Sequence, residues 1–155
     1  MKSLGNILWH FPFFGFVNAI VTYLFGLLLT VTVVAAPIGL GLMELGKFLF
    51  APFGHAMISK SKMDQAKKEA IRAYNTSWNT YSAIIMILYL PIGLILAVIT
   101  IFQVAFLFIS IIGIPPAIVI AKTIGTFFNP VYKVCVTQAV ADEIDRRVAI
   151  NHLDS

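Results

Sequence analysis

Charge is scarce in this 155-residue sequence. Only 12% of residues are Asp, Glu, Lys or Arg, against roughly a quarter in a soluble domain. With 59% of the chain hydrophobic and 13 phenylalanines to cover, that shortage excludes an ordinary soluble fold. Cysteine is nearly absent: the lone Cys135 excludes an intramolecular disulfide. His10, His55 and His152 lack the Cys/His spacing of a zinc site. No nucleophile–base constellation and no glycine-rich phosphate loop occurs, so neither an enzyme nor a cofactor is expected. Basic residues are too few and too weakly interleaved with aromatics to expect nucleic acid as a partner.

What the sequence has is long apolar runs. Four emerge, at about 11–36, 38–58, 81–112 and 116–136, with a polar stretch from Ser59 to Asn79. A spanning helix needs roughly 20 apolar residues. The first and third runs satisfy this easily; the second and fourth carry charges and a second proline. Phe11 to Val34 spans 24 residues, longer than the apolar core of about 7–15 in a signal peptide, so it reads as a retained spanning helix. The expected fold is an all-α membrane protein with four transmembrane or partly re-entrant helical segments in two duplicated hairpins. The expected divisions are a first hairpin at 1–58, a cytoplasmic amphipathic linker at 59–79, a second hairpin at 80–136 and a cytoplasmic tail at 137–155.

Proline marks the breaks, because it cannot continue a helix's hydrogen bonding and restricts the residue before it. Pro37 with Gly39, and Gly113 with Pro115 and Pro116, read as the tips of the two hairpins. Pro52 with Gly54, and Pro130, read as breaks at the inner boundary. A shift of 78 residues superposes Pro37 on Pro115 and Pro52 on Pro130 without a gap. It also matches Gly15 with Gly93, Ala19 with Ala97, Thr22 with Thr100, Leu29 with Leu107 and Phe50 with Phe128. These coincidences point to a duplication.

Charge distribution sets the expected topology. The 59–79 stretch holds Lys60, Lys62, Lys67, Lys68 and Arg72, the tail holds Arg146 and Arg147, and the tips hold none. Lys and Arg concentrate on the cytoplasmic side. Both termini and the central stretch are therefore expected inside a bacterial inner membrane, with both tips outside and the repeats parallel. Met63, Ala66, Ala70, Ile71 and Tyr74 recur at helical spacing, which fits either a helix lying on anionic lipid or a solvated connector. Trp9, Trp78, Tyr74, Tyr81 and Tyr132 fit an inner aromatic belt, and His55 a boundary position.

The residues most in need of explanation are Glu44, Lys47 and Lys122. Glu44 lies seven residues beyond Pro37, about 10 Å along a helix, and Lys122 holds the same offset from Pro115. An unpaired charge at the bilayer centre costs about 3 kcal/mol on insertion scales. Three readings follow. These residues line a polar path; or Glu44 and Lys122 form an interior ion pair while Lys47 snorkels to an interface; or the second and fourth segments are re-entrant and the charges lie close to water.

Asn6-Ile7-Leu8-Trp9, then Ala36-Pro37-Ile38-Gly39 through Glu44-Leu45-Gly46-Lys47 to Ala51-Pro52-Phe53-Gly54, resembles the first repeat of the YccF family of small bacterial inner-membrane proteins. Ile111-Ile112-Gly113-Ile114-Pro115, Lys122 and Asn129-Pro130 resemble its second repeat. Ala36, Pro116, Asn129 and Tyr132 depart from the family pattern. The resemblance implies an inner-membrane component and supplies no catalytic residue. The expected function is a channel or transport component acting as a homo-oligomer. The alternative is a non-conducting accessory or lipid-organising subunit, with a larger membrane partner or membrane lipids as its company.

Overall fold

A computed structural model describes residues 2–11, 13–66 and 76–153. The chain is mainly helical: α1 (Lys2–His10), α2 (Gly15–Val31), α3 (Ala36–Phe50), α4 (Lys60–Ala66), α5 (Thr76–Ile109), α6 (Ile114–Phe128) and α7 (Gln138–Leu153), with a 3-10 turn at Ile111–Gly113. Two short strands, β1 (His55–Ser59) and β2 (Lys133–Thr137), complete it. The strands were not expected, since five residues after a proline break carry too little periodicity to read.

The prolines begin helices rather than forming the tips themselves. Pro37 lies in the first turn of α3, and Pro115 and Pro116 in that of α6. There the missing N–H has no intrahelical partner to lose and the fixed φ suits the helix. The chain reverses just before them, at 32–35 and 110–113. Val33 takes a left-handed conformation in the first reversal (φ 62°), a strained state for a β-branched residue.

α2 packs along α3, and α5 along α6. Gly26 and Gly39 let the first pair close: a Cβ on either would meet the other's carbonyl oxygen at 2.7 and 2.5 Å. Small residues at such crossings are how membrane helices gain contact when water supplies no drive. Trp9, Ala19, Leu42, Leu45, Phe48, Leu49 and Val119 form the buried core.

The elements recur at a fixed interval. α6 begins and ends 78 residues after α3, and β2 does so after β1. The strands pair antiparallel with His55 opposite Thr137, Ser59 opposite Lys133 and Met57 opposite Cys135. Met57 and Cys135 are themselves 78 apart, so positions equivalent under the shift face each other about a local two-fold. α4 and α7 follow the strands and pack together through Ala66, Ala141 and Ile144, with Met63 and Ile58 beside them. The Lys62–Asp145 ion pair at 2.7 Å joins their surfaces. Met63 and Ala66 thus cover α7. The rest of the linker periodicity, at Ala70, Ile71 and Tyr74, falls outside the described residues.

Thr80–Ile109 (mean hydropathy 2.8) and Ile111–Phe128 (1.7) are each long and apolar enough to cross a bilayer. α1 and α2 add a third candidate if they form one broken span. The 15 residues of α3 rise about 22 Å, short of a hydrocarbon core of about 30 Å. α2 and α5 expose apolar faces, including Leu28, Phe102 and Phe106, which suits lipid as solvent. The charge pattern favours both tips on one side, yet the contacts separate them. The Tyr81 hydroxyl, near the start of α5, lies 3.1 Å from the Val33 carbonyl oxygen at the first reversal. The second reversal follows the far end of α5, about 42 Å along the helix.

Candidate functional site

α3 is held in place by α1. A helix ends with carbonyls that lack intrahelical partners. At the end of α3 the Trp9 indole N–H donates to Leu49 O at 2.9 Å, and a His10 ring nitrogen lies 2.8 Å from Phe50 O. Asn6 Oδ1 accepts the Phe53 N–H at 3.2 Å. The Asn6…Trp9 stretch is therefore a clasp on the α3–β1 corner. Trp9 is 3% exposed, a core residue rather than part of an aromatic belt. The corner is further tied by His55 Nδ1, 3.0 Å from Ala51 O, and by the Gln138 N–H donating to Gly54 O at 2.9 Å. Pro52 and Pro130 are fully buried there.

Fixed by this clasp, α3 lies against the ribbon of β1 and β2 and presents Glu44 to it. One Glu44 carboxylate oxygen pairs with Lys47, one turn on, a favourable spacing. The other accepts the Cys135 backbone N–H at 2.9 Å. Lys122 lies elsewhere: its ammonium is 3.4 Å from Pro52 O and 6.0 Å from the centre of the Phe53 ring. The structure thus brings Glu44 and Lys47 together and seats Lys122 apart from them. Lys47 keeps 53% of its side chain exposed and Glu44 21%, an arrangement close to the re-entrant reading.

Beside Glu44 opens a cleft of about 340 Å³ between α3, the ribbon and the start of α5. Lys47, Lys60, Ser82, Tyr132 and Lys133 contribute polar groups to it, and Leu40, Met43, Val131 and Val134 an apolar lining. Burial pushes the Lys133 ammonium below the usual lysine range, and the Lys62 charge adds to the effect. Burial also pushes the Cys135 thiol up to about 11, helped by the Glu44 carboxylate. Ser82 is fully buried, and its hydroxyl has no hydrogen-bond partner. A second cleft of about 490 Å³ between α2, α3 and α5 is lined mainly by apolar residues, among them Phe25, Leu42, Leu96 and Phe127.

Sequence reasoning missed Lys133 and Ser82. Position under the repeat offered a signal for Lys133, which opens the strand equivalent to His55–Ser59. Ser82 had none, being one hydroxyl at the head of an apolar run. Among the described residues no group of His, Cys, Asp and Glu is placed to hold a metal ion.

The family model of the YccF inner membrane component domain matches residues 4–55. This is the clasp, the first hairpin and the entry to β1, the stretch on which the sequence resemblance rests. No curated protein and no solved structure matches the chain.

Proposed function

We propose that this membrane protein, which carries a YccF inner membrane component domain at residues 4–55, is a non-conducting, multi-pass accessory subunit that organises lipid at the inner leaflet. In this reading the chain is an internal duplication of one hairpin–strand–helix unit, supported by the 78-residue interval of its elements and by the ribbon register. The ribbon, α4 and α7 face the cytoplasm, because they and the linker carry most of the Lys and Arg.

One observation carries the reading: the charges that a path would need in common are satisfied separately. Glu44 is held by Lys47 and a backbone N–H, and Lys122 by a carbonyl and an aromatic face. Charges inside a membrane usually mark a pathway, or are paired away within the protein; these fit the second case. A channel component whose path forms between copies is the rival. It draws support from the exposed Lys47 on an open cleft.

Conductance decides between them. Purified protein in planar bilayers, with folding confirmed by proteolysis of the tail, is expected to give no current above protein-free membranes. Discrete currents whose selectivity changes in Glu44→Gln would establish the channel and end the accessory reading.

A further inference from the structure

We infer that the cleft between α3, β2 and α5 binds a phosphate ester anion, with Lys133 and Ser82 as its principal donors. The inference deepens the lipid-organising reading and rests on it for the source of the anion.

The charge balance of the cleft comes first. Three lysines, Lys47, Lys60 and Lys133, and one carboxylate, Glu44, line it. Both Glu44 oxygens already accept, one from Lys47 and one from Cys135. The carboxylate therefore offers little to a further cation, and the surplus in the cleft is positive. Lys133 has no carboxylate within ion-pair distance among the described residues, and it sits half-buried beneath the Lys62 charge. Leaving an ammonium half-desolvated without a counter-charge is costly, and an anion in the cleft removes that cost.

Ser82 is the independent observation. Its side chain is fully buried, lines the cleft and lacks a partner. Buried hydroxyls are nearly always paired, and an orphan calls for an explanation such as a bound ion. A hydroxyl on α5, an ammonium on β2 and two more on α3 and α4 converge from four elements. A tetrahedral group with several acceptor oxygens uses such a spread of donors better than a planar carboxylate. The volume, about 340 Å³, is within the range of small-molecule sites. The apolar lining from Leu40, Met43, Val131 and Val134 suits an ester carrying a hydrocarbon portion over a bare ion.

The test uses the full chain in uncharged detergent. Thermal midpoints are followed while dioctanoyl phosphatidylglycerol, dioctanoyl phosphatidylcholine or inorganic phosphate is titrated. Phosphatidylglycerol is expected to raise the midpoint at concentrations where phosphatidylcholine does not. Lys133→Gln and Ser82→Ala should each weaken the apparent affinity by about tenfold, the loss of one charge-assisted or buried hydrogen bond. Lys133→Arg should retain binding, and Arg146→Gln, on the far surface of α7, should not alter it. Stabilisation by inorganic phosphate equal to that by the lipid would identify the anion's source as free phosphate; a requirement for the lipid identifies a headgroup. Equal stabilisation by phosphatidylcholine would overturn the inference, as would an unchanged response in Lys133→Gln that still unfolds cooperatively. The same preparations go into the bilayer assay. Anion binding with clear currents would sink the accessory reading and leave the site standing. Silence without binding would do the reverse.

Discussion

Gly41 is where the two halves touch most closely, and replacing it with alanine tests the packing directly. A Cβ built on Gly41 would lie inside the carbonyl oxygen of Pro130 and 2.6 Å from its carbonyl carbon. Ordinary contact begins near 3.4 Å, so α3 must retreat from the end of α6 by roughly 1 Å. The obstacle is backbone, fixed by a buried proline, and cannot rotate away. Overpacking of this kind costs about 3 kcal/mol. The retreat also stretches the bond from Cys135 to Glu44, now 2.9 Å, and a hydrogen bond to a charged group adds about 1.5 kcal/mol or more. Gly125, on α6, provides the control, since a Cβ there meets nothing within 4 Å. Alanine at that helix-interior site should stabilise by about 0.5–1 kcal/mol. Thermal unfolding in mild detergent, read by the emission of buried Trp9, should place Gly41→Ala about 10 °C below wild type and Gly125→Ala slightly above it. If Gly41→Ala melts with wild type, α3 does not rest on Pro130 and the arrangement of the cleft falls with it.

Three further outcomes are expected. Trp9→Phe keeps the ring in the core but leaves Leu49 O unpaired, and should cost about 1–2 kcal/mol, seen as a lower midpoint; an unchanged midpoint would remove the clasp. Lys133→Met should stabilise the protein in the absence of ligand at neutral pH. A lysine whose folded pKa is lowered penalises folding while it is protonated. The advantage of methionine should therefore be full below the lowered folded pKa and vanish as pH rises through it towards the ordinary lysine value; a difference that grows with pH would refute the burial argument. The Cys135 thiol, pushed up to about 11, holds about two hundredfold less thiolate at pH 8 than an ordinary cysteine, so iodoacetamide should react correspondingly slowly in the folded protein and fast after unfolding.

The membrane class, the apolar segments and the repeat interval were legible in the sequence because each is a pattern over many residues. The scarcity of charge and the paired prolines needed no tertiary knowledge. The misreadings were local. Pro37 and Pro115 read as tips because proline breaks helices, but its tolerance in a first turn makes it an equally good beginning. Trp9 read as a belt residue because its partner, the Leu49 carbonyl, is forty residues away. The two strands escaped because their stability comes from pairing across 78 residues rather than from any periodicity of their own. Tyr81 carried no sign that it would meet Val33, and the expectation of two tips on one side had no means of anticipating that contact.

The fate of Glu44 shows why charge placement alone does not identify a pathway. Equivalent offsets from Pro37 and Pro115 made Glu44 and Lys122 look like partners across a two-fold axis. The axis is visible in the ribbon, at Met57 and Cys135, but equivalent residues meet only where they lie close to it. Glu44 instead reaches the backbone of Cys135, which sits at that position, and its charge is balanced locally by Lys47. The duplicated scaffold thereby acquires asymmetric chemistry. At the position equivalent to Glu44 stands a lysine, and at that equivalent to Lys133 stands His55, bound to Ala51 O. A carboxylate held by one half beside a lysine strand of the other gives the protein one basic cleft where strict symmetry would give two. That asymmetry is what a single-site anion titration can detect: one equivalent of phosphatidylglycerol per chain, abolished by Lys133→Gln and untouched by His55→Gln. Two equivalents, or loss in both variants, would mean that both halves bind and that the argument from Glu44 and Lys133 is wrong.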